Sequence, residues 1–95
     1  MNYLIIPAYQ PDLNLVKLVR LVHAKSDLHI IVVDDGSDAD KKAIFDKLEG
    51  LATVLTHEHN QGKGQALKTA YDYILERGTY GSIVTCLLYT SDAAD

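Results

Sequence analysis

The sequence predicts an α/β fold: a mostly parallel sheet laid down in the order β-α-β-α-β-α-β, in three layers with helices covering the sheet. Three observations carry this. Apolar runs at 3–6, 29–33, 51–56 and from 82 onward alternate with stretches of helical periodicity. The run at 29–33, His-Ile-Ile-Val-Val, is β-branched after its first residue, as in a strand buried on both faces. Each of the first three runs gives way to a polar loop bearing glycine or proline. Strands alternating with helices imply right-handed crossovers, hence parallel strands.

Taken in order, Tyr-Leu-Ile-Ile (3–6) is a strand, which Pro7 is expected to close. The two prolines, Pro7 and Pro11, make residues 7–11 a loop. Asp12 is placed to cap a helix over 13–24, with Leu15, Leu18, Val19 and Val22 on one face and Val16 and Leu21 widening it. After the second strand, Asp38 or Asp40 is placed to cap a second helix running through Leu48, with Ile44, Phe45 and Leu48 inward and Gly50 as the stop. Residues 51–56 form a third strand, 57–64 a polar loop, and 65–77 a third helix offering Ala66, Leu67, Ala70, Tyr71, Ile74 and Leu75 for packing. A turn between Gly78 and Gly81 precedes the fourth strand.

Ninety-five residues make one domain at most. With 47% hydrophobic and 23% charged residues, the chain has the balance of a soluble globular domain. A net charge of -4 argues against nucleic acid as a partner, since such binders carry a basic face. One cysteine, Cys86, cannot form an internal disulfide. No basic segment precedes the first strand, and no apolar run is long enough to span a bilayer. The expected location is cytoplasmic, with membrane association only through a part beyond this segment.

In a parallel sheet of this kind, ligands lie outside the carboxyl ends of the strands. Three loops fall there. Asp34-Asp35-Gly36-Ser37 places two adjacent carboxylates after a buried strand, where repulsion and desolvation call for a base edge, a ribose hydroxyl, a metal or a helix N-terminus. The same residues also suit a plain turn and cap. Asn60-Gln61-Gly62-Lys63-Gly64-Gln65-Ala66-Leu67 sets backbone N–H groups and an ammonium at the start of a helix, which suits a diphosphate. It lacks the glycine spacing of a P-loop, and a flexible loop with a solvated lysine is the alternative. Ile6-Pro7-Ala8-Tyr9-Gln10-Pro11 is a rigid strand end in which Tyr9 can stack on a base or pack. His57 and His59 flank the third loop and are expected to be solvated; His23 and His29 read as surface residues.

Ile-Pro-Ala-Tyr, Val-Val-Asp-Asp-Gly-Ser and Asn-x-Gly-Lys-Gly-x-Ala-Leu, in this order and spacing, resemble the family-2 glycosyltransferases over about residues 3–85. The resemblance implies a Rossmann-like, nucleotide-diphospho-sugar transferase (GT-A) fold, here truncated. It implies transfer of a sugar, of hexosyltransferase type, from a nucleotide-activated donor to an acceptor such as a lipid phosphate or a polysaccharide. By the same resemblance Pro7, Ala8 and Tyr9 border the base and ribose. Asp35 meets the base with Asp34 beside it, and Gly62 and Lys63 lie near the donor. Many members read Pro-Ala-Tyr-Asn-Glu where this chain has Gln10 and Pro11, which leaves the glutamate's donor-side contact unassigned, with Asp12 a candidate to replace it. Two rivals fall away. A dinucleotide-binding oxidoreductase needs glycines in the first loop. A flavodoxin-like receiver module would leave the 60–67 motif without a role.

The family pattern leads from the fourth strand into an Asp-x-Asp motif for Mg²⁺ or Mn²⁺. Here the chain reads Cys-Leu-Leu-Tyr-Thr-Ser-Asp-Ala-Ala-Asp over 86–95. Asp92 and Asp95 do not have the motif's spacing, so no metal ligand, and no catalytic base, is assigned. The ten residues resemble a translated sequencing adapter. The expected organisation is therefore a donor-binding part over 1–85 and a non-native tail over 86–95, with the fragment inactive as it stands.

Overall fold

A computed structural model of the chain describes residues 1–78 and 80–87. Residues 88–95, which include Asp92 and Asp95 and most of the expected tail, lie outside the described residues. The elements are β1 (Tyr3–Ala8), α1 (Leu13–Lys25), β2 (His29–Asp35), a 3-10 turn (Ala39–Lys41), α2 (Lys42–Asp46), β3 (Thr53–His57), α3 (Lys63–Glu76) and β4 (Ile83–Thr85). All strands pair in parallel, in the order β3-β2-β1-β4. The α/β class and the alternating order are as the sequence predicts.

The strand order fixes the layers. From β1 to β3 the chain steps one way across the sheet, then returns past β1 to β4. Right-handed crossovers on a reversed path must put α3 on the opposite face from α1 and α2. The two cores show this. Leu4, Ile6, Ile30 and Val32 pack with Leu15, Val16, Val19, Phe45 and Leu48 on one face. Tyr3, Ile5, Ile31 and Val33 pack with Ala66, Ala70 and Ile74 on the other. Successive strand residues alternate between these cores, as the period of two requires.

Several boundaries differ from the sequence expectation. Pro7 does not end β1, which continues through Ala8 beside β2. The ladder explains why. Tyr3 N donates to Ser82 O and Cys86 N donates to Ile5 O, so odd residues of β1 face β4. Pro7 is odd and lies beyond the last pair with β4, at Ile5–Thr85. Its missing N–H therefore costs no ladder bond. The second helix is not one long element but a 3-10 turn and five residues, and neither Asp38 nor Asp40 makes a side-chain cap. Asp12 does cap α1, accepting from Asn14 N at 2.9 Å. On the helices, Leu21 and Leu75 are exposed, so the buried stripes are narrower than the sequence pattern suggests. β3 starts two residues later than expected and runs one further, to His57.

Candidate donor-nucleotide site

Asp34 and Asp35 end β2, and their side chains must point to opposite faces. Asp34 lies on the α1 and α2 face, half-buried, and its Oδ1 accepts from Ser37 N at 2.9 Å. Beside it opens a cleft of about 570 Å³, lined by Asp34, Ser37, Asp38, Lys42, Phe45, Val54 and Thr56 among others. A larger hollow of about 740 Å³ lies at the strands' amino ends, around Tyr3, His29 and Thr53, away from these loops.

Asp35 turns to the α3 face and is only 3% exposed. Its Oδ1 accepts from His57 Nδ1 and from Gln61 N, each at 2.9 Å. Its Oδ2 accepts from Gly62 N at 2.9 Å and from Asn60 Nδ2 at 3.3 Å. A buried carboxylate is tolerable only when its lone pairs are satisfied, and four donors do that here. Register puts the histidine in place, because Asp35 and His57 are cross-strand partners in the β2–β3 ladder. The expectation that His57 is solvated is thus corrected: its extra residue of strand draws it inward, and Nε2 meets Thr69 Oγ1 on α3 at 2.8 Å. The two N–H groups just before and at the cap of α3, expected to greet a diphosphate, hold the chain's own carboxylate instead.

The first two loops are joined as closely. Gln10 N donates to Ser37 Oγ at 2.9 Å. The Gln10 amide then makes a two-way exchange with Asp38: Nε2 donates to Oδ2 at 2.7 Å, and Asp38 N donates to Oε1 at 2.8 Å. Gln10 adopts a positive φ of 52° to do so. Gly36 is required twice over. Its φ is +77°, and a Cβ there would run into Asn60 N and the His59 carbonyl carbon. The three loops therefore form one joined rim along the carboxyl edge of the sheet, 9–12 hydrogen-bonded to 36–38, and 58–62 held by Asp35 and packed against Gly36.

Of the residues singled out from sequence, Pro7 and Ala8 are buried under this rim and Tyr9 is half-buried above them. Asp34 faces the cleft, whereas Asp35 and Gly62 are joined beneath it on the α3 side. Lys63 is the first residue of α3, half-buried. Gln10 and His57 are the site residues that sequence reasoning missed. The signal for Gln10 was its departure from the family pattern; for His57, its place directly after the strand-like run 51–56.

A family model described as glycosyl transferase family 2 matches residues 3–87. The chain belongs to glycosyltransferase family 2. The match extends over Cys86 and Leu87, and Cys86 continues the β4 ladder and packs on the α1-side core. Comparison with curated proteins and with solved structures finds no significant match for this glycosyltransferase. The Mg²⁺ or Mn²⁺ that the family commonly uses finds no fit among the described residues. Asp34 and Asp35 face apart, Asp35 has its lone pairs committed, and no three His, Cys, Asp or Glu side chains are grouped to hold an ion. No helix among the described residues is long and apolar enough to cross a membrane.

Proposed function

We propose that this family-2 glycosyltransferase chain carries the donor half of a hexosyltransferase, with a lipid phosphate or polysaccharide as acceptor. The donor would be a nucleotide-activated sugar held at the rim, with Tyr9 and Asp34 on the ligand side. Pro7, Ala8, Asp35, Gly62 and Lys63 would shape the rim around it. The observation that carries this reading is the joining of three motif loops, one of which lines a cleft through Asp34, Ser37 and Asp38. Pre-joined loops lower the ordering cost of binding a ligand. The same reading places the enzyme in the cytoplasm, where sugar nucleotides are available, with the cation site and acceptor-side base supplied by residues other than those described. It also holds that the 95-residue chain by itself transfers no sugar.

Titration of the ¹⁵N-labelled chain with UDP and with GDP tests the reading. Amide shifts should gather at Tyr9, Asp34, Ser37 and Asp38. Shifts confined to the hollow at the amino ends, or none with either nucleotide, would remove it. Transfer of sugar by the purified 95-residue chain would remove the statement about its inactivity.

A further inference from the structure

Beneath the rim lies a polar chain of which the donor reading uses only Asp35, leaving His57 and Thr69 without a role. Thr69 Oγ1, the His57 ring and the Asp35 carboxylate are linked at 2.8 and 2.9 Å, and the His57 side chain is 8% exposed. We propose that His57 is a positioning residue, held with its proton on Nδ1, which through Asp35 sets the conformation of loop 58–62 and the start of α3. In its consequence for ligand binding this rests on the donor reading above; in its structural content it does not.

The proton assignment follows from the partners. Gln61 N and Gly62 N are backbone amides and can only donate, so both Asp35 oxygens act as acceptors. If His57 Nδ1 were bare, its lone pair would face Oδ1 at 2.9 Å. A proton on Nδ1 turns that contact into a charge-assisted bond. With the ring protonated on Nδ1 alone, Nε2 is an acceptor and the Thr69 hydroxyl can supply the proton. Gln65 Nε2 approaches the same hydroxyl oxygen from one turn earlier, at 3.5 Å.

The positioning role follows from what the ring spans. Asp35 bonds the residues just before α3, and Thr69 lies within α3. The ring therefore ties the start of the helix to its body across the end of β3. Gly62 takes φ 89°, a conformation open to glycine, and its N–H bond to Asp35 helps hold it there. Take the imidazole away and Asp35 loses one of two donors on Oδ1, in a place where water has little access to replace it.

Two measurements on the labelled 95-residue chain test this. Long-range ¹H–¹⁵N correlation of the His57 ring should show a protonated Nδ1, and an unprotonated Nδ1 overturns the proposal. Amide exchange is then compared for His57→Leu and His57→Asn. Leucine fills the space without a donor; the asparagine Nδ2 can stand where Nδ1 stood. In the leucine variant, protection of Gln61 and Gly62 should fall about tenfold or more while Ile31 and Val32 keep theirs; asparagine should restore most of it. Loss spread evenly over the strands, or no rescue by asparagine, overturns the positioning role. UDP and GDP affinity should follow the same order across the variants. If the wild-type chain binds neither nucleotide, the donor reading fails, while the ring and exchange results still decide the role of His57.

Discussion

The Asp35 carboxylate and the His57 imidazole meet at 2.9 Å at the ends of adjacent strands, almost out of contact with solvent. Their cross-strand register makes the meeting unavoidable once β3 extends to residue 57. It also separates the acid pair into two jobs. The alternation of a strand sends Asp34 toward the cleft and Asp35 toward the loop that starts α3.

That division predicts opposite outcomes for two similar substitutions. Asp35→Asn puts an amide among four donors and should cost about 2 kcal/mol or more of stability in urea denaturation. Asp34→Asn keeps an oxygen for Ser37 N and should cost under about 1 kcal/mol. If the donor reading holds, it is Asp34→Asn that weakens UDP or GDP binding at unchanged fold. Equal stability losses in the two variants would refute the division.

Gly36 and Gly50 give a controlled pair. Both have positive φ, +77° and +81°, but a Cβ at Gly50 meets nothing within 4 Å whereas one at Gly36 meets the backbone of residues 59 and 60. Gly50→Ala should therefore cost only the conformational penalty of about 1 kcal/mol. Gly36→Ala should cost clearly more, and should displace the amide signals of Asn60 and Gln61. Equal melting shifts for the two would show that loops 36–38 and 58–62 are not in close contact.

Gln10 should matter through its amide and not through its bulk. Gln10→Ala removes the exchange with Asp38 at an exposed site, a loss of about 1 kcal/mol. Gln10→Glu keeps the size but sets a carboxylate against Asp38 Oδ2, so it should be the worse of the two in low salt and recover as salt is added. A glutamate variant as stable as wild type at low salt would remove the link between the first two loops.

Asp12 tests whether a residue beside the site serves the fold alone. Asp12→Ala should lower stability by about 1 kcal/mol through loss of the α1 cap, while Asp12→Asn or Asp12→Ser retains most of it. Nucleotide shifts at Tyr9 and Ser37 should be unaltered by Asp12→Ser. A binding loss larger than the stability loss would instead give Asp12 the donor-side contact that the family places nearby.

The sequence by itself determined the class of fold, the order of elements and the edge of the sheet that carries the loops. Apolar periodicity and the placement of Gly, Pro and Asp are local signals, and they survive without knowledge of neighbours. The three motifs, taken with their spacing, also determined the family. What only the tertiary structure decided was where side chains and backbone donors from different strands meet. Pro7 stays in β1 because β4 stops short of it, a matter of register with a strand nearly eighty residues away in sequence. The N–H groups of Gln61 and Gly62 look like an anion site when read along the chain. In space their anion is Asp35, delivered by β2 from twenty-six and twenty-seven positions earlier. Gln10 reads as a departure from a motif, yet across the loop it bonds Asp38 twice. Such partnerships depend on strand order and stagger, which no local pattern encodes, and they determine which acid faces the cleft and which holds the loop before α3.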